Sequence, residues 1–318
     1  MTNILSLKFA LAAAVSVSAI SAVPAFAAEP EACGTVRFSD VGWTDITATT
    51  ATASVLLKGL GYETDVKVLS VPVTYQSLKN KDIDVFLGNW MPAQEKDVKP
   101  YLDDKSVDAT GVNLEGAKYT LATNAAGAAL GIKDFSDIGK HKDALEGKIY
   151  GIEPGNDGNR LVMTLIEKNE MGMGGLEVVE SSEQGMLAQV ARADKDGKPV
   201  VFLGWEPHPM NSSFKLTYLT GGDSTFGPNY GGATVYTNTR AGYVAECPNV
   251  GKFITNLKFS LPMENEIMGK ILNDGADPEA AATEWLKANP AAIEPWLAGV
   301  TAKDGGEGLP AVKTALGL

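Results

Sequence analysis

A chain of 318 residues with a formal net charge of -12 carries too little positive charge to hold nucleic acid or an anionic membrane, both of which need basic patches. Hydrophobic residues make up 44% of it, enough to build buried cores. The acidic balance suits a cationic ligand, although it also serves solubility.

In chain order, residues 1–27 read as a secretory signal peptide. Lys8 is the only charged side chain up to Ala27, an apolar stretch runs from Phe9 to Val23, and Ala25-Phe26-Ala27 offers a small-x-small cleavage site. The stretch is shorter than the ~20 apolar residues of a membrane span and is interrupted by serines. A soluble protein of the periplasm is expected. In an exported chain the only two cysteines, Cys33 and Cys247, are expected to form one disulfide, the alternative being two separate buried thiols. The remaining chain of about 290 residues is near the length at which one core divides into two lobes.

The first lobe alternates strand and helix. A strand at 35–40 precedes a helix at 45–60, then a strand at 65–70, a short helix at 74–79 and a strand at 83–87. The second lobe repeats the scheme, with strands at 148–152, 176–180 and 200–203 and helices at 159–168 and 183–193. Such alternation implies βαβ units and parallel sheets. Extended segments rich in Gly, Thr and Tyr at 112–122 and 216–236 read as crossovers between the lobes. Amphipathic helical patterns follow at 250–257, 264–272 and 277–297, with Pro290 breaking the last. The Cys33–Cys247 bridge would return this part to the first lobe.

One phrase is written twice: Val85-Phe86-Leu87-Gly88-Asn89-Trp90-Met91-Pro92 and Val201-Phe202-Leu203-Gly204-Trp205-Glu206-Pro207. Each is a strand-like run that reaches glycine and then delivers a tryptophan to a loop, where it is not expected to be core. Phe38-Ser39-Asp40-Val41-Gly42-Trp43 repeats the ending. In open parallel α/β sheets ligands bind outside the carboxyl ends of the strands. Trp43 and Trp90 are therefore expected on one wall of a cleft and Trp205 on the other. Aromatic faces attract cations, and a quaternary ammonium, with no N–H to donate, suits an aromatic box; three or four contacts supply ~6–8 kcal/mol gross.

Asp45 and Asn156 stand beside strand ends. Each is either a helix N-cap or a hydrogen-bonding partner for a ligand hydroxyl. A carboxylate at Asp45 favours choline, which has a hydroxyl, over glycine betaine, which has a carboxylate. The rival class, an exported choline-ester hydrolase, finds little support: there is no Gly-x-Ser-x-Gly elbow, no His-Glu-x-x-His helix and no His/Cys cluster with metal spacing. His141 lies in a charged turn, and His208, in Glu206-Pro207-His208-Pro209, is the one histidine near the site. No enzyme activity, metal or cofactor is expected. A sensor module using the same pocket is a third class.

With these residues in view the chain resembles the substrate-binding family of glycine betaine and choline ABC importers. The resemblance runs from Val36-Arg37-Phe38-Ser39-Asp40-Val41-Gly42-Trp43 through both phrases to Ala282-Thr283-Glu284-Trp285-Leu286-Lys287-Ala288-Asn289-Pro290 and Trp296-Leu297. It implies an α/β, two-lobed periplasmic binding protein fold of type II, each lobe a mostly parallel sheet flanked by helices. The division implied is 28–115 for the first lobe, 116–226 for the second, and 227–318 for a crossover and the return to the first. It further implies a box of Trp43, Trp90, Trp205 and Tyr119, with Asp45 and Asn156 at the hydroxyl end. Choline is the expected ligand, acetylcholine and betaines the alternatives. A membrane permease with its ATPase is the expected partner of a monomer. Trp285 and Trp296 sit in helical patterns and are assigned to packing.

Overall fold

The computed structural model describes Met1 and residues 29–318, so the leader reading for 1–27 lies outside the described residues. Nine strands occur among them: β1 (Thr35–Asp40), β2 (Glu63–Val68), β3 (Val85–Met91), β4 (Val107–Thr123), β5 (Lys148–Tyr150), β6 (Glu177–Val179), β7 (Val201–Glu206), β8 (Thr217–Tyr218) and β9 (Gly232–Arg240). Their order is β2-β1-β3-β9-β4-β7-β5-β6, with β8 on β4. Parallel pairing joins β1 to β2 and β3, and β5 to β6 and β7. These are the two expected α/β units.

The units are not separate sheets. β9 pairs antiparallel with both β3 and β4, and β4 continues onto β7, so one sheet passes through both lobes. The first crossover is longer than the predicted 112–122. The second begins only at Gly232, because the segment before it is broken by Gly221, Gly227 and Gly231, all at positive φ, into β8 and two helical turns.

The phrase glycines also differ from their expected role. Both strands run through glycine and tryptophan, so Trp90 and Trp205 stand within β3 and β7 and not on loops. Gly88 is there for close approach: a Cβ would lie 2.8 Å from Ile46 of helix α1 (Thr44–Gly59). A Cβ at Gly204 would lie 3.0 Å from that of Ala122 on β4. Only Gly42, at φ 80°, is a turn glycine, and it brings the chain round so that Trp43 is followed at once by α1.

Helix α1 is buried over most of its surface because three C-terminal helices, Leu261–Asp274, Pro278–Ala288 and Gly308–Leu316, pack on it. The Cys33–Cys247 disulfide, Cα to Cα 5.6 Å, anchors this return where β1 starts. Trp285 and Trp296 stack at 6.4 Å in the returned layer and donate to Glu266 and to the Lys258 carbonyl. No helix among the described residues is long and apolar enough to cross a membrane.

Candidate ligand-binding site

The carboxyl ends of β1, β3, β5 and β7 converge with the second half of β4 on a small, tightly packed cavity. Trp43, Asp45, Trp90, Tyr119, Ile152 and Trp205 line it. Tyr119 and Trp205 are direct cross-strand neighbours on β4 and β7, their rings 6.3 Å apart at 84°. Trp90 approaches Tyr119 from β3 at 6.1 Å and 65°. Edge-to-face packing of this kind is favoured by the ring quadrupoles and holds each aromatic plane in place.

Trp43, Trp90, Tyr119 and Trp205 are only 6, 3, 5 and 3% exposed. The expectation that strand-end tryptophans would avoid the core therefore needs correction. Rings from the two halves of the sheet cover one another, so each wall is the other's solvent shield.

Asp45 does not cap its helix. Trp43 is the N-cap residue of α1, and Asp45 lies inside the first turn, 1% exposed. Its Oδ2 accepts the Trp90 indole N–H at 3.1 Å, while Oδ1 has no partner among the described residues. Burial, and secondarily the charge of Glu183, pushes the Asp45 carboxyl well above its ordinary range. Glu264, on the helix behind, is pushed the same way by burial and then by Asp45.

Asn156 does cap its helix. Its Oδ1 accepts the N–H groups of Gly158 and Asn159 at the start of the helix Asp157–Glu167 and also the Tyr119 hydroxyl, at 2.9 Å. Its Nδ2 donates to Glu153 at 3.1 Å. The amide thus stands behind Tyr119 instead of on the cavity wall. Gly158 makes this possible, since a Cβ there would collide with the Tyr119 hydroxyl.

Polar contacts close the cleft around the box. The Trp43 indole N–H lies 3.0 Å from both oxygens of Glu153. Thr44 donates its N–H and hydroxyl to Glu183. Arg160 forms a two-pronged pair with Asp97 at 3.0 and 2.5 Å. No Lys or Arg lines the cavity. The result is an apolar aromatic chamber with carboxylates in and around it, suited to a small cation without N–H donors.

Sequence reasoning missed Ile152, Glu153, Glu183 and Arg160. Ile152 was within reach of the strand-end rule, as the last residue of the strand read at 148–152. Glu183 pairs with a residue 139 positions away, and no local pattern announces such a partner. His208, weighed as an acid or base, is 1% exposed and packs edge-on to Trp205, outside the cavity lining.

Comparison with known proteins places the chain. The family model for the substrate binding domain of ABC-type glycine betaine transport systems matches residues 34–288. A solved ABC-transporter choline binding protein in complex with choline is 75% identical with a TM-score of 0.90, over 91% of this chain and 100% of that one. A choline binding protein of the same kind in an unliganded semi-closed conformation is also 75% identical over the same shares, with a TM-score of 0.84. The better fit to the liganded form agrees with the shut cleft. The glycine betaine/carnitine transport binding protein GbuC of Listeria monocytogenes is 33% identical over 127 residues, 40% of this chain and 41% of that protein. The chain belongs to the substrate-binding family of ABC-type glycine betaine transport systems.

Proposed function

We propose that this protein is the choline-binding component of an ABC importer: it captures choline between its lobes and hands it, chemically unchanged, to a membrane permease. The observation that carries this reading is the chamber itself, four buried aromatic residues around a cavity with a single unpartnered carboxylate oxygen. The trimethylammonium group would lie among Trp43, Trp90, Tyr119 and Trp205, and the hydroxyl would reach Oδ1 of Asp45. Asn156 serves the site by holding Tyr119, and contacts the ligand directly only if its Nδ2 exchanges Glu153 for the ligand oxygen. The lobes in this reading are 28–115 with 227–318 and 116–226, hinged where β4 and β9 cross. The leader-like N-terminus supports export and a place in the periplasm.

Calorimetry with choline, acetylcholine, glycine betaine and a sugar panel tests the proposal. A 1:1 choline complex, with choline recovered intact, is the expected result. Preference for glycine betaine over choline would overturn the role given to Asp45, and failure of every quaternary amine to bind would overturn the box.

A further inference from the structure

Glu183 starts the helix Glu183–Asp196 on the far side of the cleft from α1 and is 1% exposed, yet it does not line the cavity. Its Oε2 accepts the Thr44 N–H at 2.8 Å and its Oε1 the Thr44 hydroxyl at 2.5 Å. Thr44 lies between Trp43 and Asp45, so these two bonds grip the first wall of the box from the opposite lobe.

On its own side Glu183 is held by a histidine. His208 Nδ1 accepts the Met210 N–H at 2.9 Å, which assigns the imidazole proton to Nε2. That Nε2 lies 3.1 Å from Glu183 Oε1 and so donates to it. The same imidazole packs against Trp205, ring centroids 4.8 Å apart at 72°. A continuous series of contacts therefore runs from Trp205 to Trp43 and Asp45, and its intermediate members His208, Glu183 and Thr44 lie outside the cavity lining. A buried carboxylate is tolerated only while its hydrogen bonds are made, and two of those of Glu183 exist only while the lobes are together.

We propose that Glu183 is a positioning residue that latches the closed cleft: a ligand that settles Trp205 settles His208 and Glu183 behind it, and Glu183 then holds α1 against the ligand. The latch rests on the quaternary-ammonium reading for its trigger but not for its geometry. Recognition belongs to the box, and retention to the latch.

Stopped-flow tryptophan fluorescence with choline separates the two. Glu183→Gln keeps the shape but loses the charge and one acceptor, and is expected to raise the dissociation rate about 10-fold with the association rate within about twofold. The choline to glycine betaine affinity ratio stays as in wild type. Thr44→Val is expected to act in the same direction, and the double variant to fall short of the sum, because the two residues form one contact. A dissociation rate unchanged in both single variants overturns the latch, as does a changed ligand preference, which would place Glu183 in recognition.

If Glu183→Gln folds poorly, Thr44→Val and His208→Gln carry the same kinetic test. Should the wild type bind no quaternary amine, the proposed function fails on its own, and spin labels at Lys67→Cys and Lys195→Cys test the latch without ligand. The label distance is then expected to lengthen when Glu183→Gln is added; an unchanged distribution overturns the proposal.

Discussion

The two written copies of the strand phrase make the most instructive comparison in the molecule. In β3 the tryptophan comes two residues after glycine, with Asn89 between, and in β7 it follows glycine directly. Along a strand that one residue reverses the face on which a side chain stands, and β3 accommodates it with a register shift between Phe86 and Asn89. Trp90 consequently points its indole N–H at Asp45 on α1, while Trp205 lies beside Tyr119 and is backed by His208. Near-identical local sequences supply two different kinds of wall. One is fixed by a hydrogen bond to the carboxyl group of Asp45 in the cavity lining, the other by ring packing.

The strongest test of that contrast removes each wall in turn. Trp43→Ala and Trp205→Ala are each expected to weaken choline binding about 100-fold, near 2.7 kcal/mol, since a desolvated cation–π contact and its buried ring are lost together. Calorimetry measures it, and a large effect from one residue with none from the other would show that the ligand does not bridge the lobes.

The glycines come next. Gly88→Ala forces a Cβ to 2.8 Å from Ile46 and is expected to cost roughly 1–3 kcal/mol of unfolding stability, the range for overpacking. Gly204→Ala, against Ala122 at 3.0 Å, is expected to cost about 1 kcal/mol. Denaturant titration of both variants decides the order; equal costs would mean that α1 yields more readily than its packing suggests.

A smaller effect is expected at Asp45. Its carboxyl is held well above the ordinary range by burial and then by Glu183, and a bound cation draws it down again. Binding is therefore linked to proton release, and affinity rises with pH across the interval between the free and bound pKa values. Asp45→Asn is expected to lose about 10-fold in affinity and the pH dependence with it. Calorimetry in buffers of different ionisation enthalpy reads the proton directly; no proton release in wild type would overturn this coupling.

The last prediction concerns a fully buried carboxyl next to Asn156. Asp157, buried with both oxygens unpartnered among the described residues, is raised to about 7, by burial first and by Asp97 second. A carboxyl whose folded pKa exceeds its unfolded value, ordinarily 3.8, binds more protons when folded. Its stabilising contribution is complete below the unfolded value and is lost as pH rises through about 7. Asp157→Asn should flatten the decline in Tm between those values and raise Tm by a few degrees at alkaline pH. An unchanged profile would mean that water reaches this carboxylate.

Much of this site was legible in one dimension because its signals are local. Strand-end tryptophans at Trp43, Trp90 and Trp205, alternating βαβ elements, and a single pair of cysteines each announce themselves within a few residues or by count. Asn156 was legible as a cap for the same reason, since capping is a contact with the next two or three residues. Tyr119 was not: nine tyrosines are present, and only resemblance singled it out. What makes it part of the box is its register opposite Trp205 and the missing side chain at Gly158.

What the residue order determined by itself was which side chains are available at strand ends: aromatic rings, one acidic residue beside Trp43, and no cationic cluster. The tertiary structure decided everything that depends on distance through space. It joined the two α/β units into one sheet, turned exposed-looking tryptophans into mutually buried walls, and freed Asp45 Oδ1 for the cavity. It also brought Thr44 to Glu183 across 139 residues. The physical reason is that periodicity and capping are contacts within a few residues, whereas burial, pKa and closure are set by whatever the folded chain brings alongside.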